Sequence, residues 1–217
     1  MSSRRARDRK KEQARTRRNR NLIFGIVTVA IVVALGYFAW QQTAGGDAIP
    51  ASEVADPVLC SETAAVEIVE YGDFGCPACR AWHDTGIREQ VLRIYGDSAR
   101  FVWRDFPVIT ADSPAAAEAA QCAGAQDQFW AYHDYLYESG GSLNNSSLKR
   151  YAEEVGLDTE AFNACLDGGA MIAKVRDNEQ KARSLGLRGT PSFTVNGQVL
   201  PGPPTFDYLA TLIEENQ

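Results

Sequence analysis

The chain has 217 residues, of which 45% are hydrophobic, so it is long enough for one globular domain with additional segments. Its formal net charge of −6 is the sum of two opposite parts. Residues 1–21 carry ten Lys or Arg against only Asp8 and Glu12, and the rest of the chain is therefore strongly acidic. An acidic folded part argues against nucleic acid as a partner, since phosphate backbones bind basic surfaces.

Nineteen residues without a charged side chain, 22–40, follow the basic segment. As a helix rising about 1.5 Å per residue they are roughly 28 Å long, close to the thickness of the hydrocarbon core. Lys and Arg precede this run and do not occur again from residue 21 to residue 79, which places the N-terminus in the cytoplasm by the positive-inside rule. The pattern predicts a single-pass protein of the cell membrane, with a cytoplasmic tail (1–21), a transmembrane signal-anchor (22–40) and an extracytoplasmic remainder.

A cleaved signal peptide is the main alternative to an anchor. Such peptides have an apolar region of about 7 to 15 residues, followed directly by a small-x-small cleavage site. Here the apolar run is longer, and Gln41-Gln42-Thr43 follows it. We therefore expect the segment to remain attached.

Residues 41–62 are rich in Ala, Gly, Pro and acidic side chains. This composition is typical of a linker, and about twenty residues reach some 65 Å when extended. We expect an extracytoplasmic linker that tethers a domain beginning at residue 63.

The first elements of that domain alternate between strand and helix. The β-branched run of residues 64–71 predicts a buried strand that ends at Gly72, and residues 100–106 predict a second strand that Pro107 ends. Between them a helix is predicted from Pro77, which suits the first helical position, to a stop at Gly96-Asp97. Its buried face is expected to consist of Trp82, Val91, Leu92, Ile94 and Tyr95.

A block of helical pattern follows, and no strand pattern interrupts it from residue 113 to about residue 186. Its predicted helices are 115–125, 129–138, 147–155, 159–166 and 171–185. Residues 192–195 and 198–200 then flank Asn196-Gly197, a strong signal for a hairpin turn, and residues 206–215 predict a closing amphipathic helix. This order of elements indicates an α/β protein.

Two of the five cysteines form the sequence Cys76-Pro77-Ala78-Cys79, between the first strand and its helix. The i, i+3 spacing at a helix start puts both sulfurs on one side of the first turn. Unpaired backbone N–H groups and the helix dipole favour a thiolate at this end, so Cys76 is the predicted nucleophile and Cys79 the resolving thiol.

A structural disulfide and half of a zinc site are the alternatives for this pair. Zinc normally requires a second C-x-x-C or a paired His, whereas His83 and His133 are far apart in the chain, so we predict no metal. His83 lies four residues after Cys79 and shares its predicted helix face, which also allows a Cys-His hydrolase, but pairing with Cys79 would oxidise that nucleophile. The order strand, C-x-x-C, helix favours thiol–disulfide redox chemistry.

Further segments occur at the spacings of a known family: residues 70–79, Arg104-Asp105-Phe106-Pro107, residues 118–124, Phe129-Trp130, His133-Asp134 and Gly189-Thr190-Pro191-Ser192. Together they resemble the DsbA-like branch of the thioredoxin superfamily, over roughly residues 63–217. The resemblance implies a thioredoxin fold with an inserted α-helical domain at about residues 110–180, here preceded by a single N-terminal transmembrane helix. It also implies a cis Thr190-Pro191 bond, in a loop beside Cys76 that offers backbone hydrogen bonds to a substrate strand; an ordinary strand-entry proline is the alternative.

The resemblance assigns roles to other residues as well. Glu70 corresponds to the buried acid beneath the resolving cysteine, where it would act as general base toward Cys79, although strand alternation leaves open that it faces water. Cys122 and Cys165 lie in segments whose cysteines form a structural disulfide in related proteins, with two buried thiols as the alternative. Pro77-Ala78 stands where the best-known member has Pro-His, and this leaves the direction of electron flow open.

We therefore expect a thiol:disulfide oxidoreductase, without a cofactor, that introduces disulfide bonds into exported proteins through Cys76 and Cys79. Its expected partners are exported proteins with cysteine thiols and a quinone-linked membrane reoxidase, which the resemblance alone implies. A disulfide reductase or isomerase of the same fold and a redox-inert peptide-binding module are the alternatives. Cys60 remains in the linker, where we expect an unpaired, accessible thiol, with a disulfide to another protein as the alternative.

Overall fold

The computed structural model of the protein describes residues 31–33, 54–61 and 63–216. Residues 31–33 are helical and exposed. The predicted tail (1–21), the rest of the predicted span (22–40) and the linker up to residue 53 lie outside the described residues. Among the described residues, no helix has both the length and the apolar character that a membrane crossing requires.

The elements of the domain belong to one unit of the chain, residues 49–217. Its strands are β1 (Val58–Leu59), β2 (Val66–Gly72), β3 (Ala99–Asp105), β4 (Ser192–Val195) and β5 (Gln198–Val199). They form one mixed sheet in the order β1-β3-β2-β4-β5, in which β2 and β3 are parallel and the other neighbours are antiparallel. The predicted thioredoxin-type α/β fold is confirmed.

Eight helices surround the sheet in the described part of this unit. They are α1 (Pro77–His83), α2 (Ile87–Tyr95), α3 (Ser113–Gly124), α4 (Phe129–Ser139), α5 (Asn145–Val155), α6 (Thr159–Asp167), α7 (Ile172–Ser184) and α8 (Phe206–Glu215). Helices α3 to α7 all lie between β3 and β4 in the chain, where the insertion was expected at about residues 110–180.

The alternation of side chains along β2 sends its residues to two separate cores. Val66 and Ile68 pack with Trp82 of α1, Val91 of α2 and Leu209 of α8. Val69 and Tyr71 point to the opposite face, where they pack with Ala182 of α7 and with Leu187. The sheet is therefore covered on both faces, and the face of Ile68 lies under the helix that carries Cys76-Pro77-Ala78-Cys79.

The predicted helix from Pro77 to Tyr95 is interrupted in the structure. A turn at residues 84–86 separates α1 from α2, and Gly86 has a positive φ of 66°, which glycine adopts without the strain of a Cβ. Because α2 begins anew after this turn, its buried side differs from that of one continuous helix. Val91 is fully buried as expected, whereas Ile94 is 55% exposed, so its predicted place in the core is wrong.

The folded unit includes residues that the sequence places in the linker. Val58 and Leu59 pair with β3, and the Asp56 carboxylate accepts hydrogen bonds from Arg104 Nε at 2.7 Å and from Lys174 Nζ at 2.5 Å. Lys174 lies on α7 and is 3% exposed, so its ion pair with Asp56 is buried and holds the segment before β1 against α7. The domain thus begins at residue 54 or earlier rather than at residue 63.

A disulfide joins two helices of the insertion. The sulfurs of Cys122 in α3 and Cys165 in α6 are bonded, and Cys122 is buried. The bond closes a sequence separation of 43 residues. In the chain-entropy model a loop of this size stabilises the folded state by about 4 kcal/mol.

Gly72 at the end of β2 lies directly against the indole of Trp103. A Cβ at this position would be 2.1 Å from Trp103 Cη2, and Trp103 is fully buried and cannot move aside. We expect Gly72→Ala to lower the free energy of unfolding by about 3 kcal/mol, measured by urea denaturation. Gly202→Ala is the matched control, because no atom lies within 4 Å of its added Cβ, and it should change stability by less than about 0.5 kcal/mol.

Candidate active site

A carboxylate shapes the turn between β2 and α1. Asp73 Oδ1 accepts the backbone N–H of Gly75 at 2.7 Å, and Asp73 Oδ2 accepts those of Val108 and Ile109 at 2.7 and 2.8 Å. The Asp73 carbonyl also accepts the N–H of Cys76 at 3.0 Å. Sequence reasoning missed Asp73, although an Asp two residues before a Gly at the end of a strand is a recognisable Asx-turn signal.

The dithiol stands at the start of α1. Cys76 precedes the helix in an extended conformation, Pro77 occupies the first turn, and the N–H of Arg80 donates to the Cys76 carbonyl at 3.1 Å. Pro77 and Ala78 are exposed, whereas Cys76 is 4% exposed and Cys79 is fully buried. Both cysteines are free thiols in the structure, and Cys76 is the one that a reaction partner can reach first.

The loop before β4 lies against Cys76. The Thr190-Pro191 peptide bond is cis, and Cys76 Sγ donates to the Thr190 carbonyl at 3.2 Å. Residues 114 positions apart in the chain thus meet at the dithiol.

Glu70 faces the active-site helix rather than water. It lies on the same side of β2 as Ile68, pairs in register with Phe193, and is 4% exposed. Burial raises the pKa of its carboxyl from 4.5 to about 8, and the nearby charges of Arg88 and His83 oppose this rise. At neutral pH the carboxyl group therefore holds a proton that it can exchange.

The Cys79 thiol is strongly held in its protonated form. Burial and the neighbouring Glu70 carboxyl raise its pKa, and the Thr190 hydroxyl, which faces the Cys79 sulfur, opposes this rise. The Thr190 hydroxyl oxygen is buried and has no partner at ordinary hydrogen-bond geometry within the described part of the chain. Cys79 therefore needs a base before it can attack a disulfide, and the neighbouring Glu70 carboxyl is a base in that position once it has given up its own proton.

A cluster of charged and aromatic side chains links α1 and α2 to α4 of the insertion. Asp134 Oδ1 lies 2.7 Å from Arg88 Nη2, 2.7 Å from His133 Nδ1 and 3.4 Å from His83 Nε2. Burial disfavours the Asp134 carboxylate, but its hydrogen bonds with His133 and His83 and the charge of Arg88 bring its pKa well below the usual range. No pattern along the chain predicts this cluster beyond the separate motifs that contain its members.

The same cluster contains three side chains of the types that bind metal ions. His83, His133 and Asp134 offer ligand atoms that lie within 4.8 Å of one another. The guanidinium of Arg88, however, donates to the Asp134 carboxylate and lies 3.3 Å from His133 Nδ1, so a positive charge already occupies the position of a cation. We assign these side chains to an ion-pair network and not to a metal centre.

A groove of about 500 Å³ opens beside Cys76. One wall is the start of α1 with Arg80, another is the loop with Thr110 and Asp112, and Leu143 of the insertion closes a third side. These lining residues were also missed from the sequence, because no motif distinguishes them. Cys76 is itself one of the residues that line this groove.

Five features of this structure together define a class of protein. They are a thioredoxin-type sheet, a helical insertion, a C-x-x-C at a helix start, a cis-proline loop against its first cysteine and a buried acid near its second cysteine. That class is the thioredoxin-like oxidoreductases.

Comparison with known proteins agrees with this class. The Thioredoxin_4 family model, described as thioredoxin, matches residues 52–215. The chain is similar to a thioredoxin-like oxidoreductase from Silicibacter pomeroyi DSS-3, with 31% identity, a TM-score of 0.67 and coverage of 76% of this chain and 94% of that one. It also resembles the oxidised form of BdbD from Bacillus subtilis, with 23% identity, a TM-score of 0.67 and coverage of 74% and 92%.

Among curated proteins the chain is similar to longer ones. It is 35% identical over 153 residues to the Na(+)/H(+) antiporter NhaA of Herminiimonas arsenicoxydans, and 35% identical over 159 residues to Na(+)/H(+) antiporter NhaA 1 of Mycobacterium sp. (strain KMS). These matches cover 70% and 71% of this chain, but the chain spans only about a quarter of the length of those relatives. The chain belongs to the thioredoxin family that the model describes, and the expected DsbA-like form of the thioredoxin fold is confirmed.

The burial of Glu70 has a consequence for stability. Because its pKa is about 8 in the folded state and 4.5 as the unperturbed value, the folded protein binds more protons than the unfolded one between those pH values. The contribution of Glu70 to the free energy of unfolding is therefore complete below about pH 4.5, where its carboxyl is protonated, and it is lost as the pH rises through 8.

We expect Glu70→Gln to abolish this loss and to stabilise the domain by about 5 kcal/mol at pH 9, with little effect at pH 4. Urea denaturation from pH 4 to pH 9 measures the difference. Both proteins should carry Cys76→Ser and Cys79→Ser, so that no reductant is needed and the Cys122–Cys165 bond remains intact. Equal pH dependence in the two proteins would contradict the assignment of the buried titrating acid to Glu70.

Proposed function

We propose that the chain introduces disulfide bonds into exported proteins and is held at the cell membrane by residues 22–40, with its N-terminus in the cytoplasm. The observation that carries the proposal is the arrangement of the dithiol. Cys76 lies at the groove against the Thr190 carbonyl, and Cys79 lies behind it next to the buried Glu70. This arrangement supports attack on Cys76 by a thiolate in the groove and proton transfer between Cys79 and Glu70 in the interior.

The reaction begins from the Cys76–Cys79 disulfide. A substrate thiolate attacks Cys76 Sγ, a bond forms between substrate sulfur and Cys76, and the Cys76–Cys79 bond breaks. The electron pair leaves on Cys79, whose thiolate takes the proton from Glu70 because burial strongly disfavours the charged sulfur. A second substrate thiolate then attacks the substrate sulfur of the mixed disulfide and releases Cys76 as a thiolate.

Two electrons and two protons have then passed from the substrate thiols to the enzyme and its surroundings, and the substrate holds a new disulfide. The Thr190 loop takes part by binding. In the dithiol form the Thr190 carbonyl accepts a hydrogen bond from the Cys76 thiol. In the disulfide form Cys76 has no thiol proton, so the Thr190 carbonyl is free to accept a backbone N–H of the substrate. Reoxidation by a quinone-linked membrane partner completes the proposed cycle.

Two observations support an exported location. The domain carries a disulfide of its own, Cys122–Cys165, and such bonds persist in oxidising compartments. The sequence before the domain has the charge pattern of a signal-anchor. An anchor would also hold the domain near a membrane reoxidase.

The direction of electron flow is tested by the redox state of Cys76 and Cys79 in growing cells. After acid quenching and thiol alkylation of the full-length protein, we expect most of the pair to be found as a disulfide, and we expect Cys79→Ser to accumulate mixed disulfides with exported proteins through Cys76. Cys76→Ser is the control and should trap none. A pair found mostly as dithiol would instead indicate a disulfide reductase or isomerase.

Cys60 offers a test of location. It is an exposed free thiol, and in a Cys76→Ser, Cys79→Ser variant it is the one remaining thiol of the chain, since Cys122 and Cys165 are bonded. We expect a membrane-impermeant maleimide to label this variant in intact cells or spheroplasts, and Cys60→Ser in the same background to remain unlabelled. Labelling that requires membrane rupture would contradict the proposed topology.

A further inference from the structure

Proton exchange at the dithiol requires a route to solvent. Glu70 is 4% exposed and Cys79 is fully buried, so neither group meets bulk water directly. This pair nevertheless gains one proton when the Cys76–Cys79 disulfide is reduced and loses one when it is formed again. This requirement rests on the proposed dithiol chemistry of Cys76 and Cys79.

The groups whose charges act on Glu70 come from three helices, and they are Cys79 and His83 of α1, Arg88 and Glu89 of α2, and Tyr137 of α4. Arg88 stays charged at any ordinary pH, and burial raises the pKa of the Tyr137 hydroxyl well above 10. The Glu89 carboxylate is engaged in an ion pair, where it accepts from Arg88 Nε at 2.7 Å. His83 is the side chain left in this set that takes up and releases a proton near neutral pH.

His83 lies between the interior and the surface. It follows Cys79 by one helical turn on α1, so the two side chains share one face of the helix. His83 Nε2 is 3.4 Å from Asp134 Oδ1, and His83 Nδ1 is 3.4 Å from Asp84 Oδ1, on a side chain that is 61% exposed. The ring itself is 12% exposed and its charge acts on the Glu70 carboxyl, so one side chain is coupled to the buried acid and open to water.

We propose that His83 relays the proton of the Glu70–Cys79 pair to and from solvent, and that Asp134 positions its imidazole. When the Cys79 thiolate leaves, it takes a proton from the Glu70 carboxyl, the Glu70 carboxylate takes one from the His83 imidazolium, and neutral His83 takes one from water. In the opposite direction each transfer is reversed. One proton enters or leaves the site for each thiol formed or consumed.

The electrostatics of the cluster suit this role. The hydrogen bond with Asp134 raises the pKa of His83, partial burial and Arg88 oppose the rise, and Asp84 adds to it. The charged and titratable groups around the ring are Asp84 in the turn after α1, Arg88 of α2, and His133, Asp134 and Tyr137 of α4, and Glu70 of β2 is coupled to the ring by charge. Burial lowers the pKa of His133 to about 4, so His133 stays neutral and does not substitute for His83.

The test is a single-turnover measurement on the full-length protein. A mixed disulfide is formed between Cys76 and glutathione, and the rate at which Cys79 resolves it is followed from pH 6 to pH 9 in dilute buffer. We expect His83→Ala and the size-matched His83→Gln to slow this step about tenfold at pH 7. Added imidazole should restore the rate of His83→Ala and leave the wild type unchanged, because a small base replaces the missing relay.

A relay changes the rate but not the equilibrium, and this separates it from a structural role. The equilibrium constant of the dithiol with glutathione should stay within about twofold of wild type in both variants. A rate within about twofold of wild type, or a slower rate that imidazole does not restore in His83→Ala, would overturn the proposal. Arg93→Ala, which removes an exposed cation from α2, is the control and should react as the wild type does.

Asp134→Asn tests the positioning residue. Loss of its charge lowers the pKa of His83, so the inflection that His83 contributes to the pH profile should move to lower pH, and an unmoved profile would remove Asp134 from the proposal. Failure of the relay is distinguishable from failure of the proposed function. A wild-type protein that resolves no mixed disulfide refutes the dithiol chemistry, whereas a reactive wild type with equally reactive His83 variants refutes the relay alone.

Discussion

One carboxyl group in the middle of the central strand sets the conditions for the rest of the site. Glu70 stands on a sheet face that is otherwise built from Val66, Ile68 and Phe193, and its burial has a cost that increases with pH. The cations Arg88 and His83 reduce that cost, and the Asp134 carboxylate of the insertion holds both of them in place. The insertion is therefore part of the electrostatic environment of the dithiol as well as a cover for it.

The local signals of the sequence were sufficient for much of the fold. The β-branched run before Gly72 and the Asn196-Gly197 turn, where both residues have positive φ, are determined by neighbours in the chain. The position of Cys76 at a strand-to-helix junction is local in the same sense. The break after His83 was missed because only Gly86 marks it, and a single glycine is tolerated within many helices.

Contacts between distant residues left no such local signal. Arg88 and His133 are 45 positions apart, and Asp56 and Lys174 are 118 apart, so neither pair has a pattern that a reading along the chain could detect. The same reason explains the linker boundary, since β1 is a strand of two residues that exists through its pairing with β3. Strand alternation alone leaves the orientation of Glu70 open, and the packing of its neighbours on β2 under α1 defines it.

Asp73 has a mechanical consequence for substrate entry. Its two carboxylate oxygens tie the backbone of Gly75, next to the dithiol, to the backbone of Val108 and Ile109, at the edge of the loop that forms the opposite side of the groove. A displacement of either side is transmitted to the other through a few short bonds on one rigid side chain. The width of the entrance is thereby coupled to the position of the Cys76 sulfur, so any ligand that spreads the groove also displaces that sulfur.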